Sequence, residues 1–330
     1  MDRPTRILAR HEIERLLDMR SCIDAVGDAL RRRAEGRAAP GGVLGVRVPD
    51  GGFHVKAAAL ELGRPYFAAK VNANCPGNPA SRGLPTIQGV LALFDASSGV
   101  PLAVMDAMAI TTLRTAAASA VAARVLARPD ATTAAFVGCG VQALAHVAAL
   151  REVRPIAAIT AFDVDAAAAE RFAAEVRRLH AIPVRVAGDL ASAVAASAVV
   201  VTCTSSRRAF LGSRHLAPGT FVAAVGADSG DKSELEPELM NRAAVVVDDL
   251  EQCSAIGDLH HAIAAGVMSP RHVRATLGEV VVDAARGRRS SDETVVFDST
   301  GVAIEDVAAA ALVYERAVAA NAGLTVELGN

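Results

Sequence analysis

Tryptophan is absent from this chain of 330 residues, and aromatic residues make up only 3% of it. A surface that stacks bases or sugars would therefore have few side chains to be built from. Lysine and arginine number 34 against 36 acidic residues, and no long basic run occurs. The electrostatic footprint of a nucleic-acid binder is thus missing, and we expect no nucleic-acid partner. The core is expected to be aliphatic.

The five cysteines are odd in number, widely scattered and never spaced as C-x-x-C. This pattern indicates a reducing compartment, with neither a disulfide framework nor a zinc site. The pair His260-His261 has no third ligand at helical spacing, so no metal site is expected. No apolar run approaches about 18 residues, and the N-terminus has no uninterrupted apolar segment. We therefore expect a cytoplasmic protein without a membrane partner.

The order of apolar segments predicts two domains. A chain of 330 residues is long enough for two domains of roughly 150 residues each. From Ala134 onward, short β-branched runs alternate with Ala-rich helical stretches. This alternation is typical of parallel βαβ units in a doubly wound sheet. Seven predicted strands end at or near Gly138, Asp163, Val186, Thr204, Gly226, Asp249 and Ser299.

The first 125 or so residues have a different pattern. One opening helix (HEIERLLDMRSCIDAVGDALRRRAEG) is followed by Gly/Pro-rich strands, a hairpin-like stretch and a long helix. Arg128-Pro129-Asp130 ends that helix and is a natural domain boundary. The last helix, which begins near Ile304, comes after the final predicted strand, and we expect it to return to the first domain.

A glycine-rich motif follows the first strand of the alternating region. Gly138-Cys139-Gly140-Val141-Gln142-Ala143 matches G-x-G-x-x-A in a strand–loop–helix context. In such a loop the first glycine permits a tight turn, the second lets the backbone approach a pyrophosphate, and the small third residue allows close packing. Asp163, at the end of the next strand, is expected to bind both ribose hydroxyls and to favour NAD(H) over NADP(H). The alternatives are glycines that merely turn the chain and an aspartate that caps a helix.

Two further strand ends carry polar residues, at the edge of the sheet where ligands of open α/β folds bind. Thr202, Thr204 and Ser205 lie at the end of the fourth predicted strand, and Asp228 follows the fifth. Asp228 is a candidate acid or base in catalysis. Its alternative role is to cap a helix in the Glu-rich segment that comes next.

Cations occur in apolar segments of the first domain. Lys70 lies in the strand AAKVNAN and Arg114 in the helix LRTAAASA. A buried cation needs an anionic partner, and a substrate carboxylate would supply one. The alternatives are a structural ion pair or a charged end that reaches solvent. Lys56 raises the same question, whereas the neighbouring His54 is typical of an ordinary surface or core histidine.

These residues lie in segments that together resemble the ornithine cyclodeaminase/mu-crystallin family. The matching segments include KVNANCPGNP, GLPTIQGVLALFDASSGVPLAVMD, ITTLRTAAASAVAARVLARPD, VGCGVQA, HLAPGTFVAAVGADSGDKSELEPEL, LGEVV and VFDSTGVAIEDVAAAALVYE. The resemblance implies an α/β fold in two domains. One is a Rossmann-type, doubly wound NAD-binding domain over residues 128–299. The other is a discontinuous α+β domain over residues 1–127 and 300–330 that binds substrate and forms a homodimer.

The resemblance also implies an NAD(H)-dependent oxidoreductase. Hydride would move between nicotinamide C4 and the α-carbon of a small amino acid or a cyclic imino acid. Lys70 and Arg114 would bind the substrate carboxylate, with Lys70 also counted as catalytic, and Asp228 would transfer the proton. Thr115, in the same L-R-T-A-A motif as Arg114, joins the expected cofactor contacts. The alternatives are an ornithine cyclodeaminase, which forms proline and ammonia with catalytic NAD, and a nucleotide-dependent binding protein without turnover.

Several positions depart from the family pattern. Gly41 or Gly42 stands where many members have an arginine, so Arg47 or Lys56 is expected to replace it. Lys56 occupies a position where methionine is usual, and it is alternatively a contact for a second anionic group. His54 stands where ornithine cyclodeaminases carry a glutamate proposed to meet the substrate side chain. The loss of that acid disfavours a diamino-acid substrate.

Overall fold

The computed structural model describes residues 4–39 and 41–328. They divide into two compact units, of which the first runs to Arg114 and resumes at Val302, and the second comprises Thr115–Gly301. The first division falls inside a continuous helix, Ala107–Leu126. The sequence places the domain boundary after this helix instead, and the assignment of 1–127 with 300–330 and of 128–299 to separate domains stays a prediction.

The elements of the first unit, up to the helix that crosses the division, are β1 (Thr5–Leu8), α1 (Arg10–Leu16), α2 (Met19–Ala34), β2 (Gly42–Val48), β3 (Gly51–Glu61), β4 (Pro65–Asn74), α3 (Asn78–Arg82), β5 (Ile87–Asp95), β6 (Pro101–Asp106) and α4 (Ala107–Leu126). The second unit continues with β7 (Thr133–Val137), α5 (Val141–Val153), β8 (Ala158–Phe162), α6 (Ala166–His180), β9 (Val184–Val186), α7 (Leu190–Val194), β10 (Val199–Thr202), β11 (Arg207–Leu211), β12 (Phe221–Ala224), β13 (Ser233–Leu235), α8 (Pro237–Arg242), β14 (Ala244–Val247), α9 (Leu250–Ile256), α10 (Asp258–Ala264), β15 (Ala275–Thr276), α11 (Leu277–Val282) and β16 (Val295–Asp298). The first unit is completed by α12 (Ala303–Ala319) and β17 (Leu324–Val326).

The second unit is built on a parallel sheet. Among the described residues its eight strands have the order β15-β14-β16-β12-β10-β7-β8-β9. All four residues of β10 and of β12 are buried, as expected for strands covered on both faces. The seven strands predicted from the sequence all lie in this sheet, which confirms the doubly wound fold. The strand order reverses beside β7, where β10 is its neighbour, and ligands of such sheets bind at the carboxyl ends next to this point.

The first unit is built on a mixed sheet. Seven strands within the described ranges have the order β17-β1-β6-β5-β4-β3-β2, with β2 to β6 antiparallel and β1 parallel to β6. Helix α12 packs against β3 and β4 and against α2. The last helix therefore returns to the N-terminal part of the chain, as predicted, and covers one face of this sheet.

The prediction of a single opening helix is wrong. The chain forms α1 and α2 instead, separated by Leu17 and Asp18. Asp18 Oδ1 accepts a hydrogen bond of 2.9 Å from the Ser21 backbone N–H, and this cap begins the second helix. The short strands β1, β11, β13, β15 and β17 were also not predicted, because strands of this length depend on their pairing partners.

Within residues 4–39 and 41–328, no helix combines the length and the apolar character needed to cross a bilayer.

Candidate active site

Lys70 is buried in the first unit. It lies on the face of β4 that also carries the buried Tyr66 and Ala68, and its side chain is only 3% exposed. Its ammonium group donates to Asp306 Oδ1 at 2.8 Å and to Thr111 Oγ1 at 3.1 Å. Burial lowers the pKa of Lys70 to about 7, and the charge of Arg114 acts in the same direction, whereas Asp306 opposes the shift. A lysine with such a pKa can hold or release a proton near neutral pH.

Arg114 joins Lys70 through a shared carboxylate. Its Nη1 donates to Glu305 Oε2 at 2.7 Å, and its Nε lies 2.9 Å from Asp306 Oδ1. Burial favours protonation of Asp306, but the charges of Lys70 and Arg114 outweigh it and hold the pKa of Asp306 below its ordinary value. The structural ion pair considered for each cation is thus present, and both cations meet at one carboxylate. Lys70 has two acceptors among the described residues for its three N–H donors, which leaves one donor for a ligand.

Sequence reasoning missed Glu305 and Asp306. Both lie in the first turn of α12, where the helix dipole favours negative charge, and both are almost completely buried. A signal was present in IEDVAAAALVYE, since adjacent acids in an otherwise apolar helix need cationic partners as much as Lys70 and Arg114 need anionic ones.

Lys56 lies beside this buried group, and Arg47 does not. Lys56 is directly opposite Lys70 in the β3–β4 pairing and is half-buried, and its charge helps to lower the pKa of Lys70. Arg47 is exposed and lies opposite Gly52, four residues and therefore about 13 Å along β3 from Lys56. His54, opposite Asn72, shares the sheet face of Lys56. Of the two candidates for the missing arginine, only Lys56 is next to Lys70.

The glycine loop lies at the carboxyl end of β7 in the second unit. Gly138 has φ of +90°, and a Cβ there would lie 2.8 Å from the Cys203 carbonyl oxygen, so both conformation and space require glycine. Gly140 is the N-cap residue of α5, which lacks a side-chain cap within the described part of the chain. A Cβ at Gly140 would meet nothing within 4 Å. The first N–H groups of a helix have no acceptor within the helix, so a start of this kind suits a pyrophosphate.

The residues that begin α5 also fit a bound dinucleotide. Gln142 Oε1 is buried and accepts no hydrogen bond from any residue that the structure describes. Val141 is 71% exposed, and Ala143 is fully buried, as expected for the small third residue of the motif. An orphaned acceptor beside an uncapped helix start is chemically matched to a ligand that brings hydrogen-bond donors. Thr115 lies in α4 and is largely buried.

Asp163 braces the glycine loop. Its Oδ2 accepts from the Cys139 backbone N–H at 2.8 Å, and its Oδ1 accepts from the Asp165 N–H at 2.9 Å. Asp165, and not Asp163, caps α6 by accepting from the Ala167 N–H. The helix-cap interpretation of Asp163 is therefore wrong. Each of its oxygens keeps a second lone pair for a ribose hydroxyl.

Asp228 lies in the loop after β12. Its side chain is 50% exposed, and its Oδ1 accepts from Lys232 Nζ at 2.6 Å. The next helix, α8, has Glu236 as its N-cap residue, so the interpretation of Asp228 as a helix cap is wrong. An accessible carboxylate of this kind can take or return a proton.

The segment at the end of β10 is bound to an acid that sequence reasoning missed. Thr202 is fully buried, and its hydroxyl donates to Glu234 Oε2 at 2.6 Å. The Thr204 backbone N–H donates to Glu234 Oε1 at 2.7 Å, and Ser205 is exposed. Local pattern contains no signal for Glu234, because it is one of several glutamates in SELEPEL.

Cysteine and histidine side chains can also be reactive, but here they are held by burial or by a hydrogen bond to the backbone. Burial raises the pKa of the Cys139 thiol to about 12 and that of the Cys203 thiol well above its ordinary value, so neither is a thiolate nucleophile. His261 Nε2 donates to the Lys232 carbonyl oxygen at 2.8 Å. The described residues contain no group of three or more side chains placed to hold a metal ion.

Several known proteins are similar to this chain in sequence and in fold. The model of the ornithine cyclodeaminase/mu-crystallin family matches residues 3–321. An archaeal alanine dehydrogenase dimer with bound NAD superposes with a TM-score of 0.93 at 38% identity, covering 98% of this chain and 99% of that one. The Δ1-pyrroline-2-carboxylate reductase of Thermococcus litoralis, solved with NADH and L-proline, also has a TM-score of 0.93, at 30% identity over 98% of this chain and 100% of that one. The ketimine reductase mu-crystallin of Mus musculus is 35% identical over 70% of each chain.

Proposed function

The chain belongs to the ornithine cyclodeaminase/mu-crystallin family, and from this premise we propose that it interconverts a small α-amino acid, or a cyclic secondary amino acid, with its α-imine. It is an NAD(H)-dependent oxidoreductase, as are similar enzymes solved with NAD or NADH. When bound, the nicotinamide supplies or accepts the hydride, and the protein binds and orients the substrate.

One observation carries this proposal: the buried group formed by Lys70, Arg114, Glu305 and Asp306, with Lys56 beside it. When all five side chains are ionised, three cations face two carboxylates, and one positive charge is in excess. A substrate carboxylate neutralises that charge. The guanidinium of Arg114 and the third N–H of Lys70 are the proposed donors, and they fix the α-carbon for a positioned transfer.

Lys56 is proposed to replace the arginine that many family members have in this region. Its place opposite Lys70 supports this role, and the exposure of Arg47 argues against the alternative. His54, two residues along the same strand face, is proposed to line the side-chain end of the substrate. A histidine there does not supply the acid that a distal ammonium group needs, so a substrate without that group is favoured.

The remaining roles belong to the second unit. Asp228 is proposed to take a proton from the substrate nitrogen in oxidation and to return it in reduction. Asp163 is proposed to bind the ribose hydroxyls and to repel a 2′-phosphate. The other proposed cofactor contacts are Gly138, Gly140, Val141, Gln142, Ala143, Thr115, Thr202, Thr204 and Ser205.

A paired assay tests the function. The purified protein is supplied with L-alanine, L-proline or L-ornithine plus NAD, and with pyrroline- or piperideine-2-carboxylate plus NADH or NADPH, while NADH absorbance and ammonia are followed. We expect NADH to form with an amino acid and to be consumed with a cyclic imine, and we expect NADH to be preferred to NADPH. Proline and ammonia from ornithine without net NADH change would establish a cyclodeaminase instead. Binding without turnover across the panel would contradict an enzyme.

We also propose a homodimer, because the first sheet has an exposed apolar face. Leu44, Val55, Val71 and Val90 lie opposite one another across β2, β3, β4 and β5. Leu44 is 60% exposed and Val90 is 53% exposed. They alternate along their strands with the residues of the α12 side, so this row lies on the other face. A contiguous exposed apolar surface is typical of a protein interface, and the similar archaeal alanine dehydrogenase is a dimer.

Replacing Val90 by glutamate is expected to convert the dimer to a monomer, because a charge would be buried without a partner in the interface. Light scattering after size-exclusion chromatography measures the mass directly. Val282→Glu is the matched control, since Val282 on α11 in the second unit is also 53% exposed. A wild-type monomer, or a Val90→Glu variant that stays dimeric, would contradict this interface.

A cytoplasmic location is proposed as well. All five cysteines are free, and three of them, Cys22, Cys139 and Cys253, are buried as thiols. Disulfides are rare in reducing compartments, so free thiols are consistent with this location.

A further inference from the structure

Glu234 on β13 holds together two segments that end at the proposed cofactor site of the second unit. Its side chain is fully buried. Oε2 accepts from Thr202 Oγ1 at 2.6 Å and from the Gly226 backbone N–H at 2.8 Å, while Oε1 accepts from the Thr204 N–H at 2.7 Å. One carboxylate therefore joins the end of β10 to the loop that follows β12.

Gly226 is the point of close approach. A Cβ there would lie 2.4 Å from the Cδ and Oε1 of Glu234 and 2.5 Å from the Thr204 carbonyl oxygen. Its φ is outside the left-handed region, so glycine is required here for space and not for conformation. Asp228 comes two residues later, and its N–H donates to the Gly226 carbonyl oxygen at 3.1 Å. The position of the Asp228 backbone is thus tied to the position of Gly226.

The surroundings of Glu234 are unfavourable for a charged side chain, so its carboxylate does little for the stability of the fold. No lysine or arginine in the described ranges forms an ion pair with it, and burial, with the nearby charge of Asp258, raises its pKa to about 7. Asp258 Oδ1 fixes the strand by accepting from the N–H groups of Glu234 and Leu235 at 2.9 Å and 3.0 Å. A buried charge without a cation costs stability that an apolar residue would not. The three hydrogen bonds that this carboxylate accepts therefore indicate that it fixes the positions of the segments that donate them.

We propose that Glu234 is a positioning residue, whose carboxylate sets the Thr202–Thr204 segment and the Gly226–Asp228 loop at the separation that the reaction needs. This inference rests on the proposed function, because it assigns proton transfer to Asp228 and cofactor contact to Thr204. Glu234 itself acts through these segments, and no step of the chemistry passes through its side chain.

The first test is Glu234→Gln. An amide has one acceptor oxygen where the carboxylate has two, so at least one of the three donors loses its acceptor. We expect kcat to fall about 10- to 100-fold and the dissociation constant for NADH, measured by fluorescence titration, to rise about tenfold, as befits the loss of a charge-assisted hydrogen bond. Glu238→Gln is the matched control, since Glu238 is an exposed residue on α8 that pairs with Arg242, and both values should stay unchanged. Unchanged kcat and NADH affinity in Glu234→Gln would overturn the proposal.

A double-mutant cycle separates positioning from general destabilisation. If Glu234 acts on turnover by placing Asp228, adding Glu234→Gln to Asp228→Asn lowers kcat no further than about twofold. If it merely supports the fold, the two losses multiply, and the proposal fails. Should Glu234→Gln not fold, Glu234→Asp replaces it in both measurements, because aspartate keeps the charge and shortens the reach of the carboxylate to its three donors. NADH binding is measured without turnover. The NADH titration therefore still tests the role of Glu234 even if the wild type converts none of the proposed substrates.

Discussion

Replacing Arg114 by alanine is expected to raise the KM for the amino-acid substrate about 100-fold and to lower the free energy of unfolding by about 3–5 kcal/mol. The first effect follows from the loss of charge-assisted hydrogen bonds to the substrate carboxylate. The second follows because Glu305, which is 0% exposed, would keep its charge in the core without the guanidinium that now donates to it at 2.7 Å. Steady-state kinetics and urea unfolding measure the two effects independently.

A second variant separates binding from folding at this position. Adding Glu305→Gln to Arg114→Ala removes the carboxylate charge that the guanidinium no longer balances, so part of the lost stability should return while KM stays high. Arg178→Ala is the matched surface control: Arg178 pairs with Glu175 on α6 and its side chain is 66% exposed, so the free energy of unfolding should change by less than about 1 kcal/mol. Retention of substrate affinity in Arg114→Ala would remove this residue from the proposed substrate site.

Replacing Asp228 by asparagine is expected to lower kcat by about 10²- to 10⁴-fold, with the NADH dissociation constant unchanged within about twofold. The amide keeps the shape of the side chain but cannot take a proton from the substrate nitrogen. Because the side chain is 50% exposed and lies outside the glycine loop, neither the fold nor the cofactor contacts should depend on it. Stopped-flow or steady-state turnover, together with fluorescence titration of NADH, gives both values.

Asp231→Asn is the control for this loop. Asp231 is 55% exposed and pairs with Arg207, so the same substitution three residues away removes a surface charge without touching the proposed proton acceptor. Its kcat should remain near that of the wild type. An unaltered kcat in Asp228→Asn would assign the proton transfer elsewhere, and Lys70, with a pKa near 7, would be the next residue to replace.

Much of the second unit was predictable because its signals are local. Buried parallel strands are continuous apolar runs, and a glycine is needed wherever the backbone turns sharply beside another chain segment. All seven predicted strands and the loop at Gly138 therefore match the structure. The break between α1 and α2 was missed, although Asp18 and Ser21 were readable as a cap, because the apolar pattern continues through it.

In the buried charged group, the sequence indicated the cations but not the acids. Lys70 and Arg114 stood out as cations in apolar segments, but their acids come from α12. Asp306 is 236 positions from Lys70, and Glu305 is 191 positions from Arg114. No periodicity links positions so far apart. The same holds for Glu234, which reaches Thr202 from 32 residues away.

The amino-acid sequence by itself thus determined the parallel sheet, the glycine loop and the cations that need partners, because each depends on the polarity or the backbone freedom of neighbouring residues. Tertiary structure alone decided which acids neutralise those cations, that Lys56 and not Arg47 stands beside Lys70, and that Glu234 joins two loops. The physical reason is that a buried charge is stabilised by whichever groups packing brings within hydrogen-bond distance, and packing is a property of the whole chain.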